Sequence, residues 1–300
     1  FDQVGIPREM ALELFRPYLF KEILLRGLAS NLRGAKNYLD ERQDEIWNIL
    51  DELVRERPLL LNRAPSLHRL SVLGFYPVLI DGSAIQLHPA VCSGFNADFD
   101  GDAMAVHLPL TKGAVEEVKD RMLSTRNLLR PATGIPITYP SKEQVLGTYY
   151  LTSIPEEEES RREEELKVFG DEGEVLLNYE LGQVSLRERV RVSIGGKLII
   201  TSVGRVLLNQ ALPESLRFFN GVAGAGEVRS FVAQTIEREG DKAVAGLIDS
   251  LKDLGFHYAM SSGTSIAVSD GVIPGEKDQV LREAEGRVDE IDRDFRRGLI

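Results

Sequence analysis

Three aspartates at alternate positions, Asp98, Asp100 and Asp102, are the residues of this chain best placed to do chemistry. They lie in the stretch Asn96-Ala97-Asp98-Phe99-Asp100-Gly101-Asp102. In an extended segment, residues i, i+2 and i+4 share a face. Gly101 lets the backbone turn tightly enough to close the three carboxylates around a point. Like charges held that close repel, so the arrangement persists only if protons or a cation neutralise it. An all-oxygen donor set selects a hard cation, Mg²⁺, Mn²⁺ or Ca²⁺. An EF-hand loop shares the acids at positions 1, 3 and 5 but needs glycine at position 6 and an acid at position 12. Ala103 and Pro109 stand there instead. A solvated Asp-rich turn without a ligand is the plainer alternative. The apolar flanks, Phe95, Phe99 and Met104-Ala105-Val106, speak against it. The residues by themselves lead to a Mg²⁺ site on a β-rich core and no further.

The elements around this loop change character along the chain. Residues 8–33 read as helical, with Leu12, Phe15, Leu19 and Ile23 at three- and four-residue spacing. Pro17 predicts a break near Phe15–Arg16. A second helix is expected from an N-cap at Asp40 through Ile46, Ile49, Leu50 and Leu53, with Pro58 just beyond. From Leu59 short apolar runs alternate with Gly, Pro and Asn: Pro77–Ile80, Ala84–Leu87 and Ala103–Val106. Asp81-Gly82 predicts a hairpin between the first two. Helices are expected again over 113–123 and 143–151. The acidic block Glu156–Glu165 reads as a solvated face. Strands follow near Val190–Ile194 and Leu198–Ile200 around Gly195-Gly196, then helices near 228–237 and 241–254. Leu281, Ala284, Val288, Ile291 and Phe295 form an a/d seam whose partner helix is expected outside this sequence; packing on the preceding domain is the alternative.

Composition narrows the function classes. The 300 residues are 43% hydrophobic and 28% charged, with a net charge of −11. Residues 1–150 hold 19 acids against 17 Lys and Arg, and residues 151–300 hold 28 against 19. The acidic chain is therefore a poor candidate for non-specific nucleic-acid binding by bulk charge, and any such role needs a local site or basic surface from other chains. No apolar run is long enough for a membrane helix. The single cysteine, Cys92, excludes a disulfide framework and a thiolate metal cluster, and fits a reducing compartment. His68, His88 and His107 match no zinc spacing and read as framework histidines. The glycine-rich stretch Gly221–Gly226 follows no convincing strand and makes a poor phosphate loop. The opening Phe1-Asp2-Gln3, with no initiator Met or secretory leader, suggests a piece of a longer protein.

Asn96–Asp102 resembles the NADFDGD element of the largest subunit of multisubunit DNA-dependent RNA polymerases, the β′ subunit in bacteria. Leu60–Arg69 is similar to that family's LLNRAPTLHR segment, and Ala84–Val91 and Ala105-Val106-His107 also follow its pattern. Further similarity appears in order at Pro140-Ser141, Leu146–Tyr150, Ser202–Arg205 and Val272–Pro274. The resemblance implies an α+β chain. It would comprise a helical lead-in over 1–56, a double-psi β-barrel over 57–110, a pore or secondary-channel region over 111–275, and the first helix of a rim coiled coil over 276–300.

It further implies that Asp98, Asp100 and Asp102 hold the catalytic Mg²⁺ for nucleotidyl transfer from a ribonucleoside triphosphate to an RNA 3′-hydroxyl. Arg63 and Asn96 would contact the ribose hydroxyls, and Pro65 would lie near the template base. For Arg63 the alternative is a structural salt bridge to one of the aspartates; for Asn96 it is a turn-stabilising bond to its own backbone. The implied partners are the β subunit, the α dimer, ω and σ, with DNA template, RNA product and nucleoside triphosphates, and regulatory factors at the channel rim. The implied location is cytoplasmic, at the nucleoid. Two other readings share the carboxylate core: an RNA-dependent RNA polymerase with an Asp-x-Asp-Gly-Asp element, and a non-catalytic metal-binding assembly module. Ala103 stands where the family usually carries Gln and is expected to alter a contact without removing metal binding. Arg126 and Arg130 replace usually uncharged residues, and either contact phosphate or face solvent. Ser93-Gly94 and Ile135 also depart from the family pattern.

Overall fold

The computed structural model describes all 300 residues, in two compact units, 1–262 and 263–300. In the first unit the chain opens with strand β1 (Gln3–Pro7) and helices α1 (Arg8–Leu14), α2 (Arg16–Leu25), α3 (Leu32–Asp40) and α4 (Asp44–Glu56). The expected break falls at Phe15. Proline at the first turn of α2 needs no backbone donor there, whereas within one continuous helix its ring would strike the carbonyl four residues back. Asp40, expected as an N-cap, is instead the last residue of α3. That helix starts at Asn31, whose side chain accepts a hydrogen bond from the Gly34 amide at 2.8 Å. Ala35 and Leu39, four residues apart, are buried and carry α3 on to Asp40, so the next helix begins only at Asp44.

Strands β2 (Leu59–Asn62), β3 (Val72–Ile80), β4 (Gln86–Leu87) and β5 (Ala105–His107) join β1 in a five-stranded sheet of order β4-β1-β3-β2-β5. The hairpin expected across Asp81-Gly82 does not form. The chain turns there, but β1 lies between the two strands, parallel to β3 and antiparallel to β4. Val4 and Ile6 of β1 are fully buried, and this alternate-residue burial explains why the strand occupies the gap. The lead-in region, read as helical from its periodicity, thus contributes a strand to the sheet. Phe15, Leu19, Ile46, Ile49 and Leu50 from the helices and Leu59, Leu61 and Phe75 from the strands make one core beneath it.

Helix α5 (Cys92–Phe95) lies between β4 and β5, and α6 (Lys112–Glu117) follows β5. Helix α7 (Glu143–Thr152) comes next, then the short α8 (Glu156–Glu159) in the acidic block. The rest of that block is exposed, but Arg189 donates to the Glu158, Glu159 and Arg161 carbonyls and ties it down. Strands β6 (Val168–Phe169), β7 (Arg189–Ile194) and β8 (Lys197–Ser202) form a second sheet, with α9 (Glu172–Glu180) and α10 (Val203–Ala211) beside it. The β7–β8 hairpin turns at Gly195-Gly196 as expected. Helices α11 (Ala225–Glu239) and α12 (Asp241–Ser262) complete the unit. Helix α12 crosses α7 so closely that a Cβ on Gly147 would lie 1.8 Å from the Gly255 carbonyl oxygen.

The second unit is dominated by α13 (Lys277–Arg296). It carries the seam residues Leu281, Val288, Ile291 and Phe295, all exposed, and no residue of the helix is buried. No helix of the chain is long and apolar enough to cross a membrane.

Candidate metal centre

The aspartate loop joins α5 to β5. Asn96 ends α5 in the left-handed conformation, φ 49°, which asparagine tolerates better than most residues. Gly101, at φ 121°, then turns the chain back toward the sheet. On the far side, β5 pairs antiparallel with β2 in the register Asn62↔Ala105 and Leu60↔His107. This register brings the residue after β2, Arg63, against the end of the loop.

One carboxylate oxygen from each of Asp98, Asp100 and Asp102 lies within 4.8 Å of the others, and all three residues are exposed. Their electrostatics are unequal. A side-chain hydrogen bond with Asp100, with desolvation and the neighbouring negative charges adding to it, raises the Asp98 pKa above the usual carboxylate range. Asp102 shifts the other way because it accepts from Arg63, with a further bond from the Asp98 amide at 3.2 Å. Arg63 Nε lies 2.7 Å from Asp102 Oδ2 and Nη2 lies 3.2 Å from Oδ1, a two-pronged grip that raises the guanidinium pKa in turn. Crowded carboxylates with an all-oxygen donor set, one of them with a raised pKa, fit a hard divalent cation, which would relieve the repulsion among them.

The structure thus brings together Asp98, Asp100, Asp102 and Arg63, with Asn96 exposed at the start of the same loop. Pro65 is exposed beyond Arg63, after a cis peptide bond from Ala64, and the nearby Ser66 hydroxyl donates to Asn62 Oδ1 at 2.6 Å. His88 stands apart, with Nδ1 accepting from the Ala90 amide at 3.1 Å and Nε2 3.0 Å from Asp249 Oδ1. Arg126 is exposed and lies 3.6 Å from Asp241. Gly224 is the N-cap of α11, which accounts for part of the glycine-rich stretch.

Two clefts flank the loop. One, of about 510 Å³, is lined by Asp98, Asp102 and mainly apolar groups including Met10, Ile85 and Met104. The other, of about 460 Å³, is lined by Asn96, Asp98, Cys92, Lys142, Glu143 and Phe256 among others. Phe99 is exposed and belongs to both rims. Sequence spacing gave no hint of Lys142 or Phe256, which come from distant segments; the only local signal was a lysine placed just before a helix.

Residues 23–124 match the family described as RNA polymerase Rpb1, domain 2, and residues 127–271 match RNA polymerase Rpb1, domain 3. Among curated proteins, DNA-directed RNA polymerase subunit beta' of Desulforudis audaxviator is 44% identical over 299 residues, covering 99% of this chain and 26% of that protein. The subunit beta' of Dehalococcoides mccartyi is 43% identical over 299 residues, covering 99% of this chain and 23% of its own length. That of Syntrophobacter fumaroxidans is 44% identical over 300 residues, with 99% and 22% covered. The chain spans about a quarter of the length of the curated relatives it matches.

Proposed function

We propose that this chain, which belongs to the Rpb1 family of RNA polymerase subunits and carries that family's domains 2 and 3, supplies the catalytic metal site of a DNA-directed RNA polymerase. The observation that carries this reading is the convergence of Asp98, Asp100 and Asp102 within 4.8 Å, inside the segment matched to domain 2. These aspartates would hold Mg²⁺. When bound, a divalent cation lowers the pKa of an attacking RNA 3′-hydroxyl and stabilises charge on the oxygens around the α-phosphate of a ribonucleoside triphosphate.

The chain's own residues would do the rest by binding and orientation. Asp102 is held in place by Arg63, leaving the crowded Asp98–Asp100 pair as the part of the site with most to gain from a cation. Asn96, an exposed amide, and the guanidinium nitrogens of Arg63 are suited to hydrogen-bond ribose hydroxyls. Pro65 would bound the template side. No side-chain nucleophile is needed, since direct in-line transfer forms no covalent protein intermediate. The double-psi closure of the first sheet and the coiled-coil role of α13 belong to this reading. So do the boundaries of the barrel and pore regions, and the β, α, ω and σ subunits, nucleic acids and rim factors as partners. The family match and the beta' names of the relatives favour a DNA template over the RNA-templated alternative.

The test is RNA primer extension on a DNA template by core enzyme reconstituted with the full-length parent subunit, wild type against Asp100→Ala, across a Mg²⁺ titration. Extension should vanish in the variant while assembly persists. Equal extension by both would leave a structural module that binds metal without catalysis.

A further inference from the structure

We propose that the cleft between the end of α4 and the face of α6 binds a phosphate group, and that Arg57, Lys112 and Lys119 are its cations. The site is separate from the metal-site reading and does not depend on it, for the cleft shares no lining residue with either cleft at the aspartate loop.

Local sequence places the three cations. Pro58 disfavours the helical conformation for the residue before it, so α4 stops at Glu56 and Arg57 is extended, at φ −123° and ψ 115°. Across the cleft, Lys112, Val115, Glu116 and Lys119 stand at positions i, i+3, i+4 and i+7. They therefore share one face of α6 and of the turn that continues it. These four residues, with Glu56 and Arg57, line a cleft of about 210 Å³.

Arg57 distinguishes the cleft from a row of surface lysines. Its guanidinium carbon lies 4.1 Å from the centre of the Tyr18 ring, and the Tyr18 hydroxyl is itself pinned by donating to the Leu110 carbonyl at 2.8 Å. Stacking fixes the plane of the guanidinium and leaves its N–H edge free for a ligand. Its Nε is buried and has no hydrogen-bond partner. Earlier in the chain Arg8, Arg16, Arg26, Arg42 and Arg55 each pair with an acid. Arg57, Lys112 and Lys119 pair with none, although Glu56 and Glu116 line the same cleft. A half-buried guanidinium with an unsatisfied donor is costly, and a bound anion removes that cost.

Size and donor geometry select the anion. At about 30 Å³ of liquid volume per water, the cleft has room for one phosphate with part of its hydration. Sites that enclose a whole small-molecule ligand begin at about 300 Å³, so the rest of the molecule carrying the phosphate stays outside. A carboxylate offers two oxygens, whereas a phosphate offers at least three, with more charge, to one planar and two point-like cations. A free phosphate and the backbone of a nucleic-acid strand share this chemistry. On a chain of net charge −11, contact with either needs a local site of this kind.

The experiment is lysine footprinting of core enzyme assembled with the full-length subunit that contains this chain. Acetylation of Lys112 and Lys119 under single-hit conditions is read by peptide mass spectrometry. The titrants are inorganic phosphate, a single-stranded RNA oligonucleotide, and sodium chloride at matched ionic strength. A phosphate-bearing titrant should slow acetylation of both lysines several-fold at saturation. Protection by the oligonucleotide at the lower concentration assigns the group to a strand, and protection by phosphate alone assigns it to the free ion. Arg57→Gln should raise the half-protecting concentration about 10-fold, the worth of one charge-assisted hydrogen bond, and Arg57→Lys should raise it less. Lys112→Gln, altered at an exposed side chain, should weaken protection of Lys119 to a similar degree, and it decides the matter if Arg57→Gln fails to assemble. Protection by chloride equal to that by phosphate would overturn the proposal, since screening alone would then account for it. So would protection by neither phosphate source, or protection that survives undiminished in both Arg57→Gln and Lys112→Gln.

Discussion

Arg63 grips Asp102 with two nitrogens, Nε at 2.7 Å from Oδ2 and Nη2 at 3.2 Å from Oδ1. The grip joins the end of β2 to the end of the aspartate loop, so one residue both orients a proposed metal ligand and stands beside the proposed sugar site. Lysine cannot reproduce a planar two-pronged contact. Arg63→Lys is therefore expected to lower discrimination between ribo- and deoxyribonucleotides by about 10-fold or more, the worth of one charge-assisted hydrogen bond. Competition between ATP and dATP in primer extension by the assembled enzyme measures this ratio. An unchanged ratio would confine Arg63 to holding Asp102.

The unequal aspartates make a second expectation. Hydrogen bonding and crowding with Asp100 raise the Asp98 pKa, so the metal-free site is destabilised once Asp98 ionises. The sign follows from linkage. A carboxyl whose folded pKa is raised adds stability in acid, and that stability is lost as pH rises through the folded value. Asp100→Asn should therefore raise the metal-free melting temperature at neutral pH and abolish the rise that Mg²⁺ produces in the parent protein. Thermal melts with and without Mg²⁺ decide it. A variant that melts lower than the parent without metal would show that Asp100 is not repelled in the site.

How far the sequence could be read depended on the range of the forces involved. Pro17 breaks a helix by local sterics, and the α1–α2 junction was visible for that reason. The aspartate loop was visible because three acids between apolar residues are out of place without a counter-charge. The Asp81-Gly82 hairpin was misread because its turn signal is local, whereas the insertion of β1 between β3 and β4 is a long-range pairing. Asp40 was misread because a cap residue looks alike at either end of a helix, and only the burial of Ala35 and Leu39 shows to which helix it belongs. Lys142 has no signal near the aspartates: its position in the cleft depends on α7 and α12 packing, which no motif there encodes.

That packing can be tested directly. A Cβ on Gly147 would lie 1.8 Å from the Gly255 carbonyl oxygen, and a Cβ on Gly255 would lie 2.4 Å from the Gln144 carbonyl oxygen. Both contacts are with backbone, which cannot swing aside. Gly147→Ala is expected to cost about 3 kcal/mol, at the upper end for overpacking, whereas Gly246→Ala, exposed within α12 and meeting nothing within 4 Å, is expected to stabilise by about 0.5–1 kcal/mol. Urea unfolding of the two variants measures the difference. Equal midpoints would mean that α7 and α12 can part without cost.

His88 provides the pH dependence of the fold. Burial pushes its pKa down from 6.5, against the opposing pull of Asp249. A histidine depressed on folding stays neutral in the native state while the unfolded chain takes up a proton, so stability is fully present above pH 6.5 and falls as the pH drops below it. Asp102, whose pKa is lowered by Arg63, contributes in the same direction but at lower pH, below the ordinary carboxylate range. Urea midpoints measured across this interval should fall steeply in the parent chain and much less in His88→Asn, whatever the variant's absolute stability. Identical slopes would assign the acid sensitivity to carboxylates and leave His88 a packed imidazole whose protonation is matched in the unfolded chain.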